Sequence, residues 1–274
     1  MSTEQVLGQR PPFPTHARIG EGANKVPEVT VYFWIIKVLT TGMGETASDF
    51  LAHLLGPIPA VALGGIAFVA SLVLQFAVRR YVPWVYWTAI VMVSVFGTMV
   101  ADVLHVALGV SYTLSTPLFV IALAAVFAIW YASERTLSIH SIRTRRREVF
   151  YWAAVLATFA LGTAAGDLTA STGLAYLGSI VLFAGAIGLP AIAHRTGALG
   201  AVAAFWSAYV LTRPLGASLA DWMALSQTRG GLGWGLGPVT VSWAAAILGF
   251  VAYLTVTHRD AGTRQTDPLP RQSA

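Results

Sequence analysis

The pattern Trp-x9-Gly-x4-Asp recurs four times along this chain of 274 residues. Trp34, Trp87, Trp152 and Trp206 are followed ten residues later by Gly44, Gly97, Gly162 and Gly216. Five residues after each glycine comes an aspartate: Asp49, Asp102, Asp167 and Asp221. No insertion breaks any copy, and aromatic residues precede the tryptophans in Tyr32-Phe33-Trp34, Tyr86-Trp87, Tyr151-Trp152 and Phe205-Trp206. A spacing held in this way marks a chain built by duplication, which restricts the fold to an array of similar units.

Each unit is too apolar for water. Apolar residues make up 56% of the chain and charged residues 11%, against about 25% charged in a soluble domain. The apolar runs reach the roughly 20 residues that cross a bilayer as a helix. They lack the alternating polarity of membrane strands. Spans are expected at about 29–54, 58–78, 84–106, 114–133, 149–170, 174–193, 199–224 and 236–257. The fold class is therefore an all-α integral membrane protein with eight transmembrane helices. With no cysteine in the chain, disulfides, thiolate metal sites and cysteine nucleophiles are excluded. No cleavable signal peptide is read in the polar, proline-containing first 28 residues.

Charge sets the orientation. The segments before span one, between spans two and three, four and five, six and seven, and after span eight hold 14 of the 17 Lys and Arg residues. Arg229 is the only basic residue of the opposite loops. Basic short loops stay in the cytoplasm, so both termini are expected there, in a bacterial inner membrane. The run from Arg143 to Arg147 fits this topology signal and contact with anionic lipid. No nucleic-acid partner is expected.

Two helices per unit start every unit on the same face. The repeats are thus parallel, related by a pseudo-fourfold or pseudo-twofold axis along the membrane normal. The expected division is a polar tail over 1–28, repeats over 29–80, 84–147, 149–196 and 199–259, and a disordered tail over 260–274. Each Asp lies about 22 Å along its helix from its Trp. That places the Trp near the cytoplasmic interface, where amphipathic rings are favoured, and the Asp near the outer boundary.

The stretch Lys25-Val26-Pro27-Glu28-Val29-Thr30, with Tyr32-Phe33-Trp34 and Thr41-Gly42-Met43-Gly44-Glu45-Thr46, resembles a bacterial family of multi-pass membrane proteins. Members have four tandem two-span repeats with a characteristic tryptophan. The resemblance covers roughly residues 25–260. It implies the architecture only, since the family's role is unassigned.

Seven Asp, Glu, Lys and Arg residues fall inside the expected spans: Lys37, Glu45, Asp49, Asp102, Asp167, Arg213 and Asp221. All lie on the first helix of a repeat, so those four helices are expected inside and the second helices toward lipid. Charge in hydrocarbon is retained where it faces protein, water or a partner. Glu45 and Asp49 share a helix face. Thr98 and Thr163 sit four residues before their Asp and add hydroxyl ligands. The four tryptophans and the four glycines are the candidate packing residues between repeats; the glycines have a second reading, local unwinding that exposes carbonyls. The aspartates also have two, oxygen ligands for a hard cation or protons or structural bonds between repeats. Asp102 and Asp167 are the candidate metal pair. Lys37 and Arg213 are candidate counter-ions or gating groups, and Pro214 is a candidate kink. His53 and His105 fit solvated helix ends better than a metal site.

The leading function is transport of a small cation, with intramembrane carboxylates as ligands or proton relay. Export is the common direction for carriers without a capture domain. The alternatives are a scaffold whose buried polar groups specify packing and an intramembrane enzyme using Glu45 and Asp49. No catalytic motif is present, and no cofactor is expected beyond a bound divalent cation or sodium. The expected partners are the bilayer and a small cation or protons; a homo-oligomer is compatible with the sequence.

Overall fold

The computed structural model describes residues 23–260, the first and last stretches of the chain lying outside the described residues. Every regular element among those residues is a helix. The α-helices are α1 (Val31–Leu55), α2 (Pro57–Ala77), α3 (Pro83–Asp102), α4 (Tyr112–Glu134), α5 (Arg145–Thr169), α6 (Ala175–Arg195), α7 (Ala201–Ala224) and α8 (Leu236–Thr257). Local chemistry sets several ends. Thr30 and Thr144 accept the backbone N–H of Phe33 and Arg147 as N-caps of α1 and α5, meeting donors the first turn leaves unpaired. Gly56 at φ +83° makes the one-residue turn into Pro57, the first residue of α2, in a conformation costly for a residue with a Cβ. Single π-helical turns follow Asp102 and Asp167, at Val103–Ala107 and Ala170–Leu174.

Five segments are long and apolar enough to cross a membrane: α2, α3 with its extension, α4, the 51-residue run through α5 and α6, and α8. Six of the eight expected spans lie in them. Helices α1 and α7 fall short on apolarity because they carry Lys37, Glu45 and Asp49, and Arg213 and Asp221, respectively.

The first helices of the repeats form a closed ring in which α1 packs on α3, α3 on α5, α5 on α7 and α7 on α1. Each second helix docks mainly on the first helix of the next repeat: α2 on α3, α4 on α5, α6 on α7, and α8 back on α1. The outer helices leave rows of large apolar residues exposed, among them Ile58, Ile66, Val73, Ile121, Val181, Ile192, Val241 and Leu248. Such a surface suits lipid and not water.

The repeat pattern explains how the ring closes. Each repeat glycine lies beneath the residue seven positions after the tryptophan of the next repeat. Gly44 meets Ser94, Gly97 meets Phe159, Gly162 meets Arg213, and Gly216 meets Thr41. A Cβ at any of these glycines would collide with that neighbour, so the helices approach as closely as they do because the position is glycine. All four helices run unbroken through the glycine.

A second contact repeats the same step. The aromatic residue before each tryptophan packs on the next tryptophan: Phe33 on Trp87 at 5.7 Å between centroids, Tyr86 on Trp152 at 5.8 Å, Tyr151 on Trp206 at 6.1 Å, and Phe205 on Trp34 at 5.8 Å. Trp87, Trp152 and Trp206 are buried in protein, because they serve contacts between repeats.

The basic end is strapped by the N-terminal segment. Lys25 N–H donates to Ile142 C=O, Tyr81 N–H to Asn24 C=O, and Glu28 N–H to Asp260 C=O. The segment before α1, the α2–α3 and α4–α5 loops and the end of α8 therefore lie at one end of the bundle. Two residues read as belonging to polar tails are buried there: Lys25, which pairs with buried Glu148 at 2.6 Å, and Asp260, which accepts the Tyr81 hydroxyl. Gln75 also donates to Glu148, at 3.2 Å. The expected disorder of the C-terminal tail beyond Asp260 concerns residues outside the described ones.

Candidate functional site

A helix brings residues four apart onto one face, and the first helices use this spacing to build layers. Three residues after each tryptophan come Lys37, Ile90, Val155 and Tyr209. Seven after come Thr41, Ser94, Phe159 and Arg213; eleven after, Glu45, Thr98, Thr163 and Ala217; fifteen after, the four aspartates. All residues of the first three layers are buried. These faces line the interior of the ring.

Arg213 is the hub. Its NH2 group donates to Glu45 Oε2 at 2.9 Å, to Thr163 Oγ1 at 2.7 Å and to Thr98 Oγ1, while NH1 donates to the Thr41 carbonyl at 2.7 Å. One guanidinium thus ties α7 to α1, α3 and α5. The Thr98 and Thr163 hydroxyls lie 3.5 Å from the same Glu45 oxygen. Their layer is completed by Ala217, small enough to leave the space to the arginine four residues before it. Charge-assisted bonds of this kind are short and strong, and both ions of the pair are buried.

Beyond the hub, toward the end opposite the strap, the carboxylates gather. Oxygen atoms of Glu45, Asp167 and Asp221 all lie within 4.8 Å of one another. They come from three repeats. Asp102 accepts from Ser48 at 3.4 Å and stands outside that trio, as does Asp49. Of the candidate metal pair, the trio therefore contains Asp167 but not Asp102. Among the described residues no ion pair neutralises any of the four aspartates. Carboxylate oxygens gathered this closely could serve as ligands of one cation.

Lys37 lies on the other side of the hub. It is fully buried, and Nζ has no hydrogen-bond partner. It stands over the rings of Phe159 and Tyr209, at 3.9 and 4.1 Å from their centroids. The structure thus separates the two basic residues: Arg213 is paired with a carboxylate, and Lys37 rests on aromatic faces.

The histidines are engaged locally. His105 uses Nδ1 on the Val110 carbonyl at 2.6 Å and Nε2 on Ser115 at 3.1 Å, and His53 uses Nδ1 on the Asp49 carbonyl at 2.7 Å. The layers at three, seven and eleven residues after tryptophan are spelled in the sequence, but only Trp, Gly and Asp repeat in identity. A search by spacing for polar residues would have found the hub.

The fold and site together define a repeat-built, all-helical protein with a lipid-suited exterior and a polar interior closed by an arginine. The family described as Repeat of Unknown Function (DUF347) matches residues 32–81, 85–136, 150–196 and 204–260. The four matches span most of the chain, which belongs to that family. No curated protein and no solved structure matches it.

Proposed function

We infer that the protein is an eight-span carrier of a small hard cation, bound by Glu45, Asp167 and Asp221 with Asp49 and Asp102 at the approach. Helices α1 and α7 count as spans in this reading, since their charged residues face the ring and not the lipid. The basic end held by the strap is cytoplasmic, which puts the carboxylates toward the outer face of the membrane. The observation that supports the reading best is the convergence of three carboxylates from three repeats, with one arginine against them. Two further negative charges in so small a volume favour protons or a bound cation. Oxygen ligands favour magnesium, manganese or sodium over softer metals.

Arg213 holds Glu45 from the inner side, so a cation entering from the acidic end competes with the guanidinium for that carboxylate. This gives the pair the role of a gate. Pro214, inside α7 next to Arg213, removes one helix hydrogen bond at the point where such a rearrangement would hinge.

Thermal unfolding of the detergent-purified chain against magnesium, manganese, sodium and several pH values tests the reading. A ligand at 100 times its Kd stabilises the folded state by about 2.7 kcal/mol. One cation is expected to raise Tm in wild type and not in Asp167→Asn or Asp221→Asn, and flux of that ion into vesicles should follow. No cation response, with variants that simply melt earlier, would leave the carboxylates as packing elements and favour the scaffold reading.

A further inference from the structure

The outer helices follow a repeated stripe of their own, and it breaks once. Counting from Ala60, Ser115, Ser179 and Val239, the residues four and eight further on are Gly64, Phe119, Phe183 and Trp243, then Phe68, Leu123, Ile187 and Ile247. All of these are buried or half-buried. At twelve and fifteen residues the stripe continues as Leu72 and Gln75, Phe127 and Trp130, and Val251 and Leu254, again covered. In α6 the corresponding residues are Ala191 and His194, and both are exposed.

The consequence shows at the tryptophans. On α4, Phe127 and Trp130 cover Trp206, with centroids 5.0 and 5.9 Å away. By the fourfold relation, Ala191 and His194 should cover Trp34 in the same way. Both are exposed instead, with His194 bonded to the Leu199 carbonyl at 3.0 Å, and Trp34 is the least buried of the four repeat tryptophans. A cleft of about 500 Å³ opens there. Its walls include Trp34, Phe205, Ile187 and Ala208, and its rim Ser138, His140 and His194.

We propose that this cleft is a binding site for an anionic phospholipid taken from the bilayer, with an acyl chain against Trp34 and Phe205 and the phosphate at the His140–His194 rim. The volume is that of a small-molecule site, and the apolar walls suit a hydrocarbon chain. The basic residues around the rim select the headgroup. His194 is followed by exposed Arg195, and the cleft lies at the bundle end that carries the basic loops, which attract anionic headgroups. Glu28 pairs with His140 at 3.2 Å, which leaves His194 as the rim's uncommitted imidazole edge: its Nδ1–H donates to the Leu199 carbonyl, and its Nε2 donates to a phosphate oxygen from the imidazolium form. The cleft is at the opposite end of the bundle from the carboxylates, so lipid binding there is independent of the cation reading.

The test uses the delipidated full chain in neutral detergent, titrated with phosphatidylglycerol or with phosphatidylcholine of the same acyl chains. Phosphatidylglycerol is expected to raise Tm at a concentration at least tenfold lower than phosphatidylcholine. The double variant Ala191→Phe/His194→Trp transplants the α4 cover into α6. It should raise the lipid-free Tm and abolish the difference between the lipids. His194→Gln, which keeps the cleft open, should reduce that difference without changing the lipid-free Tm, so a poorly folding double variant does not decide the matter. Equal response to both lipids in wild type would overturn the headgroup assignment. A full phosphatidylglycerol response in the well-folded double variant would overturn the site. A lipid-independent wild-type dimer that the double variant converts to monomer would show that a second copy fills the cleft instead.

Discussion

The side chain of Arg213 crosses α5 at Gly162, occupying the place where a Cβ on that glycine would stand. The same step is taken at Gly44 by Ser94, at Gly97 by Phe159 and at Gly216 by Thr41. A position in the repeat that reads as a lone small residue is thus half of a contact. The other half sits at a fixed offset in the next repeat.

Gly162→Ala should therefore destabilise the protein by about 1–3 kcal/mol, the range for overpacking a filled interior. It should also disturb the Arg213 bonds. Gly188→Ala on α6, where nothing lies within 4 Å of the added atom, should be neutral or stabilising, because alanine is the better helix former by about 1 kcal/mol. Equal losses of Tm for the two variants would show that the close approach at Gly162 carries no weight.

Breaking the buried pair from one side should be costly. Arg213→Met leaves Glu45 without its cation, and loss of one partner from a buried pair costs about 3–5 kcal/mol. Glu45→Gln removes the charge from the other side. The double variant should lose clearly less than the sum of the two single losses, since neither leaves an unpaired ion once both are gone. Chemical denaturation of all four proteins in one detergent measures the coupling; simple additivity would argue that the pair is not formed.

Lys37→Met is expected to behave in the opposite way. Lys37 has no hydrogen-bond or carboxylate partner to lose, and methionine keeps most of its volume against Phe159 and Tyr209. Exchange of an unpaired buried ion for an apolar side chain should leave Tm unchanged or raise it. A drop comparable to that of Arg213→Met would mean that the ammonium holds a partner essential to the fold.

Asp260 provides a pH signature outside the spans. Burial pushes its carboxyl above the usual 3.8, and the hydrogen bond from Tyr81 partly offsets that rise. A carboxyl raised in the folded state binds its proton more tightly there than in the unfolded chain. Its contribution to stability is present below the unfolded value and is lost as pH climbs toward the folded one. Asp260→Asn removes the titration and keeps an acceptor for Tyr81. The Tm of the variant relative to wild type should accordingly rise between pH 3.5 and pH 6, values chosen to bracket that window around the ordinary carboxyl value; a flat difference would deny Asp260 this role.

Much of the architecture was legible because it rests on local properties. Helix ends came within a few residues of expectation at most positions, since apolar length and loop charge are read along the chain. The concentration of charge on α1, α3, α5 and α7 already put those helices inside. The glycine contacts were not legible in the same way. Their partners Ser94, Phe159, Arg213 and Thr41 share a position in the repeat but no chemistry, and nothing local connects Gly162 to a residue of α7. The strap was missed for a related reason: Lys25 and Asp260 lie in polar, proline-containing or terminal stretches whose composition resembles a solvated tail.

The sequence by itself determined that the chain is four similar helical pairs, apolar outside and charged on one helix of each pair. Duplication, span length and charge placement are properties of short segments, and they survive translation into structure one segment at a time. Only the tertiary structure decided that the ring closes from α7 to α1, that Arg213 and not Lys37 takes the Glu45 carboxylate, that Glu45, Asp167 and Asp221 converge, and that Ala191 and His194 leave Trp34 uncovered. Each of these depends on which helix faces which neighbour and at what height. That information arises from packing the four repeats against one another, and no single repeat contains it.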